Sequence, residues 1–415
     1  MPTPLLLKSK SGVTPAQAEN EAGGPLSHPL VRSNLVVLND IGIDYELIFI
    51  TQTQLKKSII DATRPVRHLL KTKGIHDYDD QLAGPAHRTY KTTRLACVDG
   101  IQTTKASLYR PLAKQKGGDP RLWISKLQDW ATPHDILAIF ASAGALVVAN
   151  ITKIDYAVPE FRANLEEALG DAIVRTSVAE ELLAMLHAVA ARGPAPGIRS
   201  GDTSIGATLE DLLGIRQNSS RAPDYKGIEI KSARDKRKTR KQLFAQVPDW
   251  DSSSYKSINE FLEAFGYERD GVYRLNCTVR ATSPNSQMLQ LFIDQEKGLL
   301  LEGARLPQHK HKYLVWPLNT LLTRLKEKHR ETFWVTAESL MIDGREHFQF
   351  TTVEHTRSPM ANQFAPLVTG GIITLDHMIK RKPSGSAHER GPSFKLESSS
   401  LGLLFPPSKV YSLMG

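Results

Sequence analysis

Three ionisable residues gather in the segment APDYKGIEIKSAR: Asp224 directly after Pro223, then Glu229 and Lys231 two apart. Residues two apart on an extended strand project to one face, so GIEIK sets a carboxylate beside an ammonium and turns Ile228 and Ile230 toward a core. Two carboxylates with the Ile230 backbone carbonyl between them make a hard-oxygen set of the kind Mg²⁺ takes, completed by water and phosphate. Lys231 beside such an ion orients an attacking water, while the ion offsets charge growing on phosphate oxygens. The chemistry that suits this triplet is hydrolysis of a phosphate ester. A Glu-x-Lys pair also arises about once by chance in a chain of this length, usually on a solvated face. The leading Pro-Asp, the alternating isoleucines and a preceding amphipathic helix set this one apart. That helix carries Glu210, which either approaches the cluster or stays a helix-surface charge.

These residues need a scaffold, and the local pattern around them reads helix, loop, strand. A helix is expected at about Thr203–Gly214, and the strand follows at GIEIK. Beyond it, VYRLNCTVRA, QMLQLFID, FWVTAESLM and HFQFTTV read as strands, and LVWPLNTLLTRLKEKH as an amphipathic helix. Upstream, PEFRANLEEALGDAIVRTSVAEELLAMLHAVAA has helical periodicity with a bend or break at Gly170. The segment RGPAPGIRSG, Arg192 to Gly201, then reads as a linker. Between Asn34 and about Lys153, short apolar runs such as YELIFITQTQL and DILAIFASAGALVVANITK alternate with turn-rich stretches, the mark of a β-rich domain. The expected organisation is a flexible tail at 1–33, a β-rich accessory domain at 34–155, a helix and linker at 156–200 and an α/β catalytic domain at 201–415. Whether the 156–200 helix caps the first domain or belongs to the second is left open by the sequence.

Composition narrows the function classes. The chain has 415 residues, 40% hydrophobic and 23% charged, which suits two ordinary globular domains. No apolar run approaches the roughly 20 residues that span a bilayer, so a membrane role is not expected. Cys97 and Cys277, far apart, supply neither a disulfide framework nor a thiolate zinc site, and a cytoplasmic setting is expected. A formal net charge of +9 favours a polyanionic partner, because cations that neutralise phosphates release condensed counterions.

Basic segments are the natural phosphate contacts. The run KSARDKRKTRK, directly beyond the candidate strand, holds Arg234, Lys236, Arg237, Lys238, Arg240 and Lys241 and is read as contacting a phosphate backbone. Lys114, Lys116 and Arg121 in KQKGGDPRLWI sit at a loop edge that is either a solvated turn or a phosphate contact. HDYDD, from His76 to Asp80, reads as a polar turn rather than a second metal site.

GDTSIGATLEDLL followed by APDYKGIEIKS resembles the nuclease signature of the MvaI/BcnI restriction endonucleases, in a wider group that includes the mismatch-repair nickase MutH. The resemblance implies a PD-(D/E)xK nuclease domain, α/β (α+β) with a mixed central sheet. It makes Asp224, Glu229 and Lys231 the catalytic set, with Asp224, Glu229 and Ile230 as metal ligands and Mg²⁺ as cofactor. GGIITLDHMIKRKPSGSAHERGPSFKL is similar to the family's second DNA-contacting region. It adds His388 near the cleaved phosphate or the bases, Glu389 and Arg390 as base contacts, and Lys380, Arg381 and Lys382 as phosphate contacts. The N-terminal half is similar in arrangement to the effector-binding pseudobarrel of EcoRII, which implies a second bound DNA site. The implied activity is type II restriction: a monomer that cuts duplex DNA at a CCWGG-like site, nicking one strand at a time with one centre per chain. The competing expectations are a MutH-like nickase dependent on a recognition partner, and a DNA-binding protein without catalysis.

Overall fold

The computed structural model describes residue 26 and residues 28–112, 118–170, 177–215, 222–235, 239–304, 306, 312–389 and 391–414. Lys114, Lys116, Lys236, Arg237, Lys238 and Arg390 lie outside the described residues.

The N-terminal half is built on one seven-stranded sheet. Its order is Tyr45–Phe49, Ile136–Ser142, Ala145–Asn150, Thr89–Cys97, Gly100–Tyr109, Arg121–Ile124, Ile60–Asp61. Neighbours are antiparallel except Thr89–Cys97 beside Ala145–Asn150, which run parallel. Every residue of Ile136–Ser142 and Ala145–Asn150 is buried, which explains their unbroken apolar sequence: the sheet is covered on both faces. The helix Arg64–Thr72 packs Val66, Leu69 and Leu70 into one core. The helices Pro29–Ile41 and Pro159–Leu169 pack Leu35, Leu38, Leu165 and Leu169 into the other. The two edge strands do not pair with each other among the described residues, so the sheet is an open half-barrel where the resemblance implies a pseudobarrel.

The expected boundary at residue 33 falls inside a helix. A helix begins at Pro29, where a proline at the first position has no intrahelical N–H to lose. Asn34 fixes that helix to the sheet: its amide donates to the carbonyls of Ile151 (2.9 Å) and Ile154 (2.7 Å) and accepts the Tyr156 N–H (2.8 Å).

The C-terminal half carries three sheets. One runs Lys409–Ser412, Arg345–Arg357, Glu331–Ile342, Glu229–Arg234, with Ala195–Pro196 on the flank of Arg345–Arg357. It is mixed, because Glu229–Arg234 lies parallel to Glu331–Ile342. The second runs Lys241–Ala245, Ser393–Leu396, Ile373–Arg381, Val272–Val279, Tyr267–Arg269, with Ala387–His388 on Ile373–Arg381. The third is Leu289–Asp294, Leu299–Ala304, Tyr313–Pro317. The long helical stretch of the sequence divides after Gly170, whose φ of 62° ends the first helix. Pro159–Leu169 joins the core of the first sheet, whereas Ser177–Ala190 joins Ile228, Ile230, Phe333 and Phe348 in the core under Glu229–Arg234.

The helix Leu318–His329 touches all parts of the molecule. Leu318, Leu321, Leu322 and Leu325 enter the core of the six-stranded sheet. Lys326 pairs with the buried Glu46 of the N-terminal sheet, and Arg330, just past the helix, meets Asp44 at 3.2 Å. Further struts between the halves are Lys409 to Asp40 (2.6 Å) and the Arg357 guanidinium to the Asn39 carbonyl (3.0 Å).

Candidate active site

Asp224 reaches the cluster through a tight hairpin. Tyr225 and Ile228 exchange backbone hydrogen bonds of 2.9 and 2.7 Å, with Lys226 (φ 43°) and Gly227 (φ 94°) between them. Two positive φ values in a two-residue turn are the pattern whose twist matches that of flanking strands. The chain therefore doubles back, and Asp224 comes to lie beside Ile230, whose N–H donates to its Oδ2 at 3.0 Å. The turn is tied to the neighbouring helix by Glu181, which accepts from the Tyr225 hydroxyl and the Lys226 ammonium, each at 2.8 Å.

Ile228 and Ile230 are buried, as the alternation predicts. Glu229 on the other face is also wholly buried, at 0% exposure. Among the described residues no backbone N–H or hydroxyl serves its oxygens. What meets them are two ammonium groups: Lys231 lies against Oε1, and Lys328 approaches Oε2 at 2.6 Å. Burial outweighs these cations and, with Asp224 nearby, holds the Glu229 carboxyl above the usual range. Glu210, on the helix Ser204–Leu212, is raised as well, first by burial and then by Asp224. It is half-buried and lies within the electrostatic field of Asp224, Lys231 and Glu229. That helix lies close to the strand: a Cβ on Gly206 would stand 3.6 Å from the Ser232 hydroxyl.

Among the described residues no group of three or more His, Cys, Asp or Glu side chains converges as a ready metal cage. The donor set is smaller and harder: Asp224, Glu229 and the Ile230 carbonyl, with Glu229 buried and met by side-chain ammonium groups. Mg²⁺, which keeps several waters and takes one or two carboxylates, fits such a set.

The family model that covers residues 183–405 is that of the MvaI/BcnI restriction endonuclease family. The chain belongs to that family. The match spans the site, the six-stranded sheet and the helix Leu318–His329, and it leaves the N-terminal sheet outside. Among solved structures, the restriction endonuclease MvaI in complex with its cognate DNA substrate is similar at a TM-score of 0.51. That likeness has 22% identity and covers 58% of this chain and 99% of the other. MvaI in the absence of DNA matches at a TM-score of 0.35 and 21% identity, over 58% of this chain and 98% of that one. No curated protein matches. Family membership makes the chain a restriction endonuclease, a site-specific nuclease, and the MvaI likeness shows the fold.

Within this family member the described residues of the basic run, Arg234, Arg240 and Lys241, have partners inside the chain. Arg234 grips both Glu346 oxygens at 2.7 Å and donates to the Gly201 carbonyl. Arg240 takes both oxygens of Asp376, at 2.8 and 2.9 Å. Lys241 stands 4.9 Å over the Trp334 ring and 4.0 Å from Glu354. Arg121 pairs with Asp61 in the N-terminal sheet. A guanidinium fork matches a carboxylate as well as it matches a phosphate, so a count of charges cannot tell an internal brace from a DNA contact.

The second predicted region is similarly divided. His388 pairs across the strand with Lys380, on a different sheet from Glu229. Lys380, Lys382 and His388 are exposed around the turn after Arg381. Arg381 pairs with Glu263 and covers the Tyr273 ring. Glu389 turns inward to His377 (3.2 Å) and to the Met378 N–H (3.2 Å). Sequence reasoning missed Lys328 altogether. Its only linear signal is a helix that ends in Lys326, Lys328 and His329, a pattern that ordinarily complements the helix dipole.

Proposed function

We propose that this chain is a type II restriction enzyme that hydrolyses phosphodiester bonds of duplex DNA, with Asp224, Glu229 and Lys231 as its cleavage centre. The observation that carries this reading is the convergence of those three side chains, through the Lys226-Gly227 hairpin, within the segment that matches the family. A Mg²⁺ held by Asp224, Glu229 and the Ile230 carbonyl would supply positive charge to the scissile phosphate. Lys231, braced on Glu229, presents its remaining N–H donors to the attacking water and to the phosphate oxygen. The backbone N–H of Ile230 holds Asp224 in place, and Glu210, raised first by burial and then by Asp224, stands ready to exchange a proton at the rim of the cluster.

One such centre per chain fits a monomer that nicks the strands in turn at a CCWGG-like site. Lys380, Lys382 and His388, exposed around one turn, are the assigned DNA contacts. The N-terminal sheet is assigned a second duplex. The test is incubation of purified protein with phage DNA and Mg²⁺, followed by sequencing of the fragment ends. Defined ends from wild type and none from Asp224→Ala are expected. Undiminished cutting by Asp224→Ala would overturn the mechanism, and cutting only in the presence of a mismatch-recognition protein would replace restriction with repair. For the second duplex, an uncleavable oligonucleotide bearing the site is expected to stimulate plasmid cleavage, and its indifference would remove that assignment.

A further inference from the structure

The cation on Glu229 that no motif predicts is Lys328. Its ammonium lies 2.6 Å from Oε2 of a carboxylate that is fully buried, and its own side chain is only 13% exposed. It also donates to the Ala222 carbonyl at 3.3 Å, on the segment that leads into Pro223 and Asp224. One side chain thus touches both arms of the cluster, the strand with Glu229 and the hairpin with Asp224.

The helix that carries Lys328 is held from both ends of its last turn. Next to Lys328, His329 is buried. Its Nε2–H donates to the Leu243 carbonyl at 2.6 Å, and its Nδ1 accepts from the Thr332 hydroxyl at 2.9 Å. Thr332 is the register partner of Glu229 on the neighbouring strand, so this hydrogen bond fixes the helix end against the strand pair. His329 also lies flat on Trp334, with ring centroids 5.5 Å apart and planes at 8°. On the other side of Lys328, Lys326 holds Glu46 of the N-terminal sheet. A lysine on a loose surface helix would wander over rotamers, and this one is delivered to a single carboxylate.

We propose that Lys328 is a positioning residue of the cleavage centre: it holds the Glu229 carboxylate in place before a divalent cation arrives and yields that carboxylate when the cation binds. The inference rests on the metal-dependent reading of the site given above. The two ammonium groups on this buried carboxylate offset part of the cost of its burial, which an isolated carboxylate could not bear. They also oppose a second positive ion at close range, because like charges at a few ångströms in a poorly solvated site repel strongly. Lys231 stays as the catalytic cation on the same strand. Lys328, arriving from another element, is the group that can withdraw.

The test measures cation binding by isothermal titration of the full-length protein with Mn²⁺ in the absence of DNA, beside single-turnover cleavage at saturating Mg²⁺. Lys328→Met keeps the alkyl length and removes the charge. Lys328→Gln, one atom shorter, also removes the charge and keeps an N–H donor, and serves should the methionine variant fail to fold. Either neutral variant is expected to bind Mn²⁺ about tenfold more tightly than wild type while cleaving at least about tenfold more slowly. Lys328→Arg, which keeps the charge, is expected to bind Mn²⁺ like wild type. A merely structural lysine would weaken cation binding or leave it alone, so an unchanged or lower affinity in the neutral variants overturns the assignment, as does full-rate cleavage. Wild type that neither binds Mn²⁺ nor cuts DNA would overturn the parent reading together with this one. Wild type that does both, with unshifted neutral variants, would overturn this inference alone.

Discussion

Asp224 accepts the backbone N–H of Ile230 at 3.0 Å, so the first carboxylate of the cluster is held by the strand that carries the other two residues. That hydrogen bond exists because the chain reverses at Lys226 and Gly227, both with positive φ. Removing the glycine tests the dependence. A Cβ at Gly227 would meet nothing within 4 Å, so Gly227→Ala acts through backbone conformation alone. A loss of about 1–2 kcal/mol of stability is expected from that strain. Cleavage should fall further than the melting temperature implies, since the turn sets the place of Asp224. Wild-type cleavage rates in a variant with a lowered melting temperature would show that the hairpin does not position the site.

Part of this site is legible in the sequence and part is not, for physical reasons. The alternation of Ile228 and Ile230 with Glu229 and Lys231 is local, and a strand's two-residue period exposes it directly. The hairpin is hidden because such turns are commonly signalled by Asn-Gly or Gly-Gly, whereas here a lysine takes the first positive φ. Lys328 is invisible because its partner lies on another element, and a lysine late in an amphipathic helix looks like solvated charge until the packing is known. Arg234 and Arg240 mislead in the opposite sense: in the linear run they look like phosphate ligands, and in the fold each meets a carboxylate. The seven-stranded sheet was legible as β-rich, but whether its edges meet depends on short strands such as Ile60–Asp61, which carry too little pattern to read.

Arg240 gives a direct contrast between brace and DNA contact. Its guanidinium bridges Asp376, Thr278 and Thr374, and Lys395 reaches the same carboxylate at 2.8 Å. Arg240→Met leaves the buried Asp376 with Lys395 as its remaining cation, beside the Thr278 hydroxyl, and should cost about 3 kcal/mol in denaturant unfolding. The dependence of DNA affinity on salt should keep its wild-type slope, whereas loss of a phosphate contact would reduce the slope by about one. A reduced slope with unaltered stability would return Arg240 to the DNA interface.

Glu46 and Lys326 join the two halves of the molecule, and both are largely buried. Burial pushes the Lys326 ammonium down to about 8, against the field of Asp44. Removing one partner strands the other charge, so Glu46→Leu is expected to lose about 3–5 kcal/mol, and Lys326→Met a comparable amount. The double replacement should recover most of that loss, because two apolar side chains of similar size can fill the site without an uncompensated ion. Double-variant stability equal to the sum of the two single losses would mean that the pair is not coupled.

His377 provides the pH dependence of the fold. Its ring is buried between Glu302, 2.9 Å from Nε2, and Glu389, 3.2 Å from Nδ1. Burial opposes the charged ring, yet the two carboxylates prevail and raise its pKa to about 10. The folded value exceeds the ordinary value of 6.5, so the folded state binds the proton more tightly than the unfolded chain does. The stabilisation is therefore complete below pH 6.5 and fades as pH rises toward 10, with a total of a few kcal/mol at about 1.4 kcal/mol per unit. Urea midpoints of wild type should decline steadily from pH 7 to 9. His377→Gln should be less stable at pH 7, because Glu302 then loses its buried counter-charge, and should change little with pH across that window. A wild-type midpoint that is flat from pH 7 to 9, or a variant that declines in parallel with it, would show that His377 is neutral in the fold and that Glu302 and Glu389 are held by other means.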